Sequence, residues 1–241
     1  MRSLKNARTG VTIDQNTVLC CSFAKKAGSF GCFIHNNAFE YLNLNYIYKS
    51  FSVDDISKAI EAMKTLDIKG AGITMPYKKE VLNFVDDASP STKKIGACNT
   101  VVNKKGHLFG ENTDYLGLKE YFSSVNPPKS GFVSILGNGG MSLAVQAACN
   151  SLDINFEIIT RNELSKVLTL KNRYIFNATP LTDLEVSESN NLIHANVKTL
   201  TGMYLAILQA SFQFNLYTNK EFPVEFIFEI VNKKFNINLK L

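Results

Sequence analysis

Phe132-Val133-Ser134-Ile135-Leu136-Gly137-Asn138-Gly139-Gly140-Met141-Ser142 reads as a continuous apolar strand running straight into a glycine turn and then a helix. Ala144, Val145 and Ala148 carry that helix on along one face. Strand, glycine turn and helix in this order is the setting a dinucleotide-binding loop needs. Gly137 makes the tight turn, Gly139 lets the backbone approach a pyrophosphate, and small Ser142 holds the third position, where helix meets strand. The full three-glycine form is absent, so a tight turn that holds no ligand is the alternative.

The segments that follow sharpen the reading. A strand over Phe156–Thr160 ends in Thr160-Arg161-Asn162. A site for NAD places an acid there to bind the ribose hydroxyls; a guanidinium between neutral hydrogen-bonding groups fits a 2′-phosphate instead, which predicts NADP. An ordinary exposed arginine is the rival reading. Sixteen residues separate Thr160 from Asn177, enough for one short crossover before a strand over Tyr174–Ala178. Leu181 to Asn196 is polar and irregular. Gly202 to Tyr217 reads as a helix with Leu205, Leu208 and Phe212 on one face and Gln209 beside them, and Pro223 to about Lys233 as a last helix.

Toward the N-terminus, residues 1–15 are polar and predicted to be loosely ordered. Thr17–Phe23 is a strand candidate, 24–31 a small-residue loop, Cys32–Leu42 a helix and Asn45–Phe51 a second strand. Ser52 and Asp55 read as a capping box ahead of Val53, Ile56, Ile60 and Met63. A short strand, 71–75, delivers Pro76, which reads as the opening of a helix with Tyr77, Lys78 and Lys79 in its first turn. A lysine at the positive end of a helix is electrostatically odd and suits work on an oxyanion or carboxylate, though solvated surface lysines are far commoner. Ser89-Pro90 starts another short helix, Ile95–Val102 turns into a strand, and His107–Phe109 is a short strand after the turn at 104–106. Thr113 reads as the N-cap of a helix beginning at Asp114, an acid that by default complements the dipole. Strands alternating with helices imply an α/β fold with mainly parallel sheets.

Bulk properties exclude several classes. The 241 residues are 45% hydrophobic and 20% charged, ordinary for a globular protein of one large or two small domains. The net charge of +5 is spread out rather than clustered, which argues against nucleic acid but leaves a surface that draws small anions. No apolar run reaches membrane length, and no apolar stretch follows the basic residues of 1–9, so neither a span nor a signal peptide is expected. Five cysteines and three histidines lack metal-ligand spacing, so no metal is expected and the thiols read as reduced and cytoplasmic.

Six short motifs in order resemble the shikimate dehydrogenase family, and more closely its shikimate dehydrogenase-like branch. Thr74-Met75-Pro76-Tyr77-Lys78 is similar to its Thr-x-Pro-aromatic-Lys segment, Gly96-Ala97-Cys98-Asn99-Thr100 to its Gly-Ala-x-Asn-Thr turn, and Asn112-Thr113-Asp114 to its Asn-Thr-Asp. Gly137-Asn138-Gly139-Gly140 resembles the cofactor loop, Asn177-Ala178-Thr179-Pro180 the segment beside the nicotinamide, and Gly202 with Gln209 the C-terminal helix.

The resemblance implies reversible hydride transfer between NADPH and 3-dehydroshikimate, a step toward chorismate and the aromatic amino acids. Lys78 and Asp114 would form the catalytic pair, with Ser29, Thr74, Asn99 and Gln209 on the substrate. Gly137, Asn138, Gly139, Gly140, Met141, Thr160, Arg161, Asn177, Thr179 and Gly202 would contact the cofactor. The implied architecture is an N-terminal α/β substrate domain, 1–101 with 202–241, plus an abbreviated Rossmann dinucleotide-binding domain, 102–201. The expected partner is a shikimate-like carboxylate, with no nucleic acid and no membrane, in a monomer or homodimer.

Some positions depart from the family pattern. Gly31 replaces the second serine of the carboxylate-binding Ser-x-Ser that begins at Ser29, Cys32 replaces the following proline, and Gly72 stands where the family carries a substrate-contacting asparagine. The region after Leu181 is short and lacks an Asp-x-x-Tyr-x-Pro, so a strand, a helix and a tyrosine are expected to be missing. Quinate or a related ring acid is therefore an alternative substrate, and a non-catalytic nucleotide or ligand binder an alternative function.

Overall fold

The structure is a computed structural model and describes residues 13–125 and 132–240. Most of the 1–15 segment lies outside the described residues. Among the described residues, ten strands and seven α-helices follow in chain order. They are β1 (Val18–Ala24), α1 (Phe30–Tyr41), β2 (Tyr46–Ser52), α2 (Ile56–Thr65), β3 (Gly70–Ile73), β4 (Asp87–Ala88), α3 (Pro90–Ile95), β5 (Thr100–Lys104), β6 (His107–Glu111) and α4 (Thr113–Val125). Then come β7 (Phe132–Leu136), α5 (Gly140–Ser151), β8 (Asn155–Ile159), β9 (Tyr174–Asn177), β10 (Asn191–His194), α6 (Leu200–Thr218) and α7 (Val224–Phe235).

Two sheets divide these strands. The first has the order β2-β1-β3-β5-β6-β4, the second β10-β9-β7-β8. In the first, β1 pairs in parallel with β2 and β3, whereas β3–β5 and β5–β6 are antiparallel. The β5–β6 hairpin turns at Lys105 and Gly106, both at positive φ. The expected domain boundary at 101/102 falls inside β5, and the first sheet continues to Glu111. The second sheet is wholly parallel, with β8 on one side of β7 and β9 then β10 on the other. That reversal of strand order is where open α/β sheets leave a crevice at the strands' carboxyl ends.

Alternation along the strands sorts side chains to two faces. Cys20 and Val102 join Ile34, Phe39, Ile207 and Phe214 on one face of the first sheet, while Cys21 and Val101 join Ile56, Ile60, Met63 and Leu108 on the other. The second sheet buries Val133, Ile135 and Phe176 against Ala144, Val145 and Ala148 of α5 and Leu118 and Phe122 of α4. Helix α6 belongs to both: Leu205 packs into the second unit's core, Ile207 and Phe214 into the first. The face read from Leu205, Leu208 and Phe212 is thus only part of the story, because the helix is covered on more than one side.

Several local expectations change. Pro76 opens no α-helix: the Met75–Pro76 peptide is cis, turns follow, and a 3-10 turn runs from Glu80 to Asn83. Lys78 therefore does not sit in the first turn of a helix, and the dipole argument for its role does not apply. Helix α2 is capped by Asp55 alone, which accepts from the Lys58 N–H; Ser52 ends β2 and accepts from the Ala27 N–H. Asn112 rather than Thr113 caps α4, by accepting from the Tyr115 N–H, and this frees the Thr113 hydroxyl for other work. Within the stretch read as irregular, β10 adds a fourth parallel strand whose short Leu192-Ile193 run gives little period to detect. Among the described residues, no helix is long and apolar enough to cross a membrane, and no group of three potential metal ligands occurs.

Candidate active site

A cavity of about 670 Å³ opens where β1 and β3 end and reaches across to α5 and α6. Lys78 and Asp114, 36 residues apart, meet at its wall with Nζ and Oδ2 separated by 2.6 Å. Both side chains are largely shielded, 14% and 6% exposed. Lys78 arrives on the turns after β3, and Asp114 sits in the first turn of α4. Burial of an ion pair requires close geometry to offset desolvation, and this contact supplies it. Gly140 completes the corner: a Cβ there would lie 2.9 Å from the Lys78 Cβ, so the start of α5 can rest directly on the lysine stem.

Asn99 organises the adjoining polar wall. Its Oδ1 accepts from the Thr113 N–H at 2.6 Å and from the hydroxyls of Thr100 and Thr113, each at 3.1 Å. Its Nδ2 donates to Gln209 Oε1 at 3.3 Å, which also accepts from Thr113. Gln209 is therefore fixed from the far end of the chain. Gly117 permits this, because a Cβ there would stand 2.9 Å from the Gln209 backbone nitrogen. Thr74 and Ser29 are exposed and line the cavity. Ser29 precedes α1, but its hydroxyl makes no capping hydrogen bond.

The expected cofactor residues divide into two groups. Gly137 has φ +103°, as a tight turn requires, and a Cβ at Gly139 would meet nothing within 4 Å. No side chain caps the N-terminus of α5, so its first N–H groups are open to an anion. Thr179 closes on Gly137 from the end of β9, with its methyl 3.1 Å from where a Cβ would be. Met141 lines the cavity and Arg161 is exposed at the end of β8.

The remaining residues have local duties. The Thr160 hydroxyl donates to Glu163, and the bonds from Lys166 and Thr160 hold that carboxyl down to about 2. Asn177, fully buried, accepts from Thr179, donates to the Leu181 carbonyl and bonds His194, so its amide shapes the loop. Gly202 is required by packing, since a Cβ there would fall 1.9 Å from the Asn196 carbonyl oxygen.

Sequence reading overlooked several cavity residues: Ser22, Tyr48, Ser50, Gln213 and the cations Lys26 and Lys234. Tyr48 and Ser50 share one face of β2, and Gln213 follows Gln209 by one helical turn. Those spacings were the available signal. Lys234 lies over the Phe33 ring, 3.8 Å from its centre. Burial pushes the Cys20, Cys98 and Cys149 thiols up to about 12, which keeps these three out of thiolate chemistry.

This geometry now meets its relatives. A family profile described as the shikimate dehydrogenase substrate binding domain matches residues 27–101. The shikimate dehydrogenase (NADP(+)) of Alkaliphilus metalliredigens is 30% identical over 264 aligned positions, covering 83% of this chain and 91% of that protein. The chain belongs to the shikimate dehydrogenase family. A shikimate dehydrogenase-like protein of Haemophilus influenzae is 37% identical over 151 residues, 62% of this chain and 56% of that protein, so the match spans little more than half of that relative. Among solved structures, a shikimate 5-dehydrogenase-like protein superposes with a TM-score of 0.76 at 26% identity, covering 90% of this chain and 97% of the other. The family architecture, an α/β substrate domain joined to a Rossmann-like one, is the two-sheet arrangement seen here.

Proposed function

We propose that this chain is an NADP-dependent oxidoreductase that interconverts shikimate and 3-dehydroshikimate by reversible hydride transfer. The observation that carries the reading is the Lys78–Asp114 pair, 2.6 Å apart beneath the helix start that follows the glycine turn. A protein that merely held a ring acid would have no use for a shielded ammonium fixed by a carboxylate at that junction.

In this reading the first sheet with α6 and α7 holds the substrate and the second unit holds the nucleotide. The residues present fit a dinucleotide: Gly139 leaves open space, Gly137 takes the turn, and α5 offers uncapped N–H groups. Arg161 would meet a 2′-phosphate. Bound NADPH supplies the hydride.

The chain's own part is acid–base and electrostatic. Charge that develops on the carbonyl oxygen as its carbon is reduced requires a placed donor, and Lys78 Nζ supplies the proton. Asp114 holds Nζ in position and accepts from a neighbouring substrate hydroxyl. Thr74, Asn99 and Gln209 bind the remaining ring oxygens, with Asn99 and Gln209 already oriented by their shared network. The carboxylate lies toward Ser29 and the amides of 28–31, with Lys26 adding charge.

The test is turnover of shikimate or quinate with NADP or NAD, followed by reduced-cofactor absorbance. Wild type is expected to prefer NADP, and Lys78→Ala to lose at least about a hundredfold in kcat. Equal kcat in the two proteins would remove Lys78 from the chemistry.

A further inference from the structure

Tyr48 stands in the middle of β2 with its backbone clamped. The Asn36 side chain accepts from its N–H at 2.7 Å and donates to its carbonyl at 2.9 Å. The ring stacks on His35, 4.5 Å between centres and 12° between planes. Held in this way, the side chain has little freedom to turn aside.

Its hydroxyl ends between two glycines. A Cβ at Gly72 would lie 2.9 Å from the phenol oxygen, and one at Gly31 would lie 3.5 Å from the ring edge and 3.7 Å from the oxygen. The first distance is shorter than real Cβ contacts allow, so a side chain at 72 would displace the hydroxyl. Tyr48 as a whole is 4% exposed, yet it borders the cavity together with Ser22, Ser50 and Gln213. Ser22 donates its own proton to Ser50 at 2.9 Å and is the phenol's hydrogen-bonding neighbour, so an acceptor oxygen in the cavity takes the phenol's proton in competition with the Ser22 oxygen. Burial pushes that phenol above its ordinary range, so it remains a neutral donor.

We infer that the Tyr48 hydroxyl, admitted by Gly72 and Gly31, is a substrate-contacting group that sets which ring-hydroxy acid the cavity accepts. The two glycines remove polar side chains from one patch of the wall, and the phenol brings a single donor to that same patch from the strand behind it. Its partner is an acceptor oxygen of the acid. A site that pairs such an oxygen discriminates against ligands lacking it, because the largely desolvated donor then has only Ser22 to bond.

The inference rests on the proposed oxidoreductase reading, and the experiment separates the two. Kinetics and thermal midpoints are measured for wild type, Tyr48→Phe, Gly72→Ala and the double variant. Tyr48→Phe is expected to raise KM for the ring acid about tenfold, leaving kcat within about twofold and KM for NADP and the melting midpoint unchanged. Gly72→Ala should raise the same KM by crowding the hydroxyl. In the double variant the crowded atom is gone, so the effects should not add. An unchanged KM in Tyr48→Phe overturns the inference, as does a parallel change in kcat, NADP affinity and melting, which would mark a structural role. If wild type turns over no ring alcohol, the functional reading fails by itself. Calorimetric titration with shikimate then decides: weaker binding by Tyr48→Phe supports the contact, and equal or absent binding overturns it.

Discussion

The two sides of the cleft are tied together differently. On the substrate side, hydrogen bonds leap along the chain: Asn99 to Gln209, Gln213 to Thr100, Lys78 to Asp114. Around the nucleotide loops they are shorter, from Thr160 to Glu163 and from Asn177 to Thr179 and Leu181, with Asn177 reaching as far as His194, 17 residues on. A wall knitted over such separations orients each polar group from several elements at once. A loop bonded mostly to its own neighbourhood holds its own shape, and in the proposed reading it leaves recognition to backbone N–H groups and one exposed arginine.

Substitutions should therefore spread on one side and stay contained on the other. The largest effect is expected for Asp114→Asn, which keeps the shape and removes the charge that positions Lys78: kcat should fall about a thousandfold with little change in NADP binding. A kcat within tenfold of wild type would deny the pair its catalytic role. Asn99→Ala strips the Thr113 N–H of its acceptor and leaves the Thr100 and Thr113 hydroxyls only each other and Gln209, so chemical denaturation should show a loss of about 2–3 kcal/mol together with a higher substrate KM. Stability lost with unchanged KM would show that the network is structural only.

A third test concerns pH. His35 is enclosed by Phe39, Tyr48, Phe214, Tyr217 and Phe222, and burial lowers it to about 4 from an ordinary 6.5. The unfolded chain thus binds the proton first, so the contribution is whole above pH 6.5 and declines as pH falls toward 4. Wild type should lose on the order of 2–3 kcal/mol over that window from this group, and His35→Gln should flatten the slope in urea titrations. The smallest effect is expected at the local edge: Arg161→Ala should raise KM for NADP about tenfold, leave kcat and substrate KM untouched, and leave NAD unaffected. A change in substrate KM would break the contrast between the two sides.

The same contrast explains what could be read from the chain. Gly137, Gly139 and the Ser89-Pro90 helix start are local devices, and each sits where short-range reasoning places it. Lys78 and Asp114 emerged from motif order, but their contact is a product of two distant elements meeting. Tyr48 and Gln213 showed only as spacings, because an alternating strand and a buried helix show which residues face inward without showing what they face. Pro76 misled because a helix start and a tight turn both tolerate a missing N–H. Thr160 and Asn177 carry family-like identities and also bond the turn and loop they begin, while Gly202 is fixed by its packing against Asn196.

Helix α6 has a further implication. It supplies Leu205 to one core and Ile207 and Phe214 to the other, and Gly117 lets α4 lie hard against it. Neither half possesses a finished interior without this shared beam, so heating should melt the molecule in a single cooperative step. Any narrowing of the cleft around a ligand must rock about the α4–α6 crossing rather than pull the halves apart.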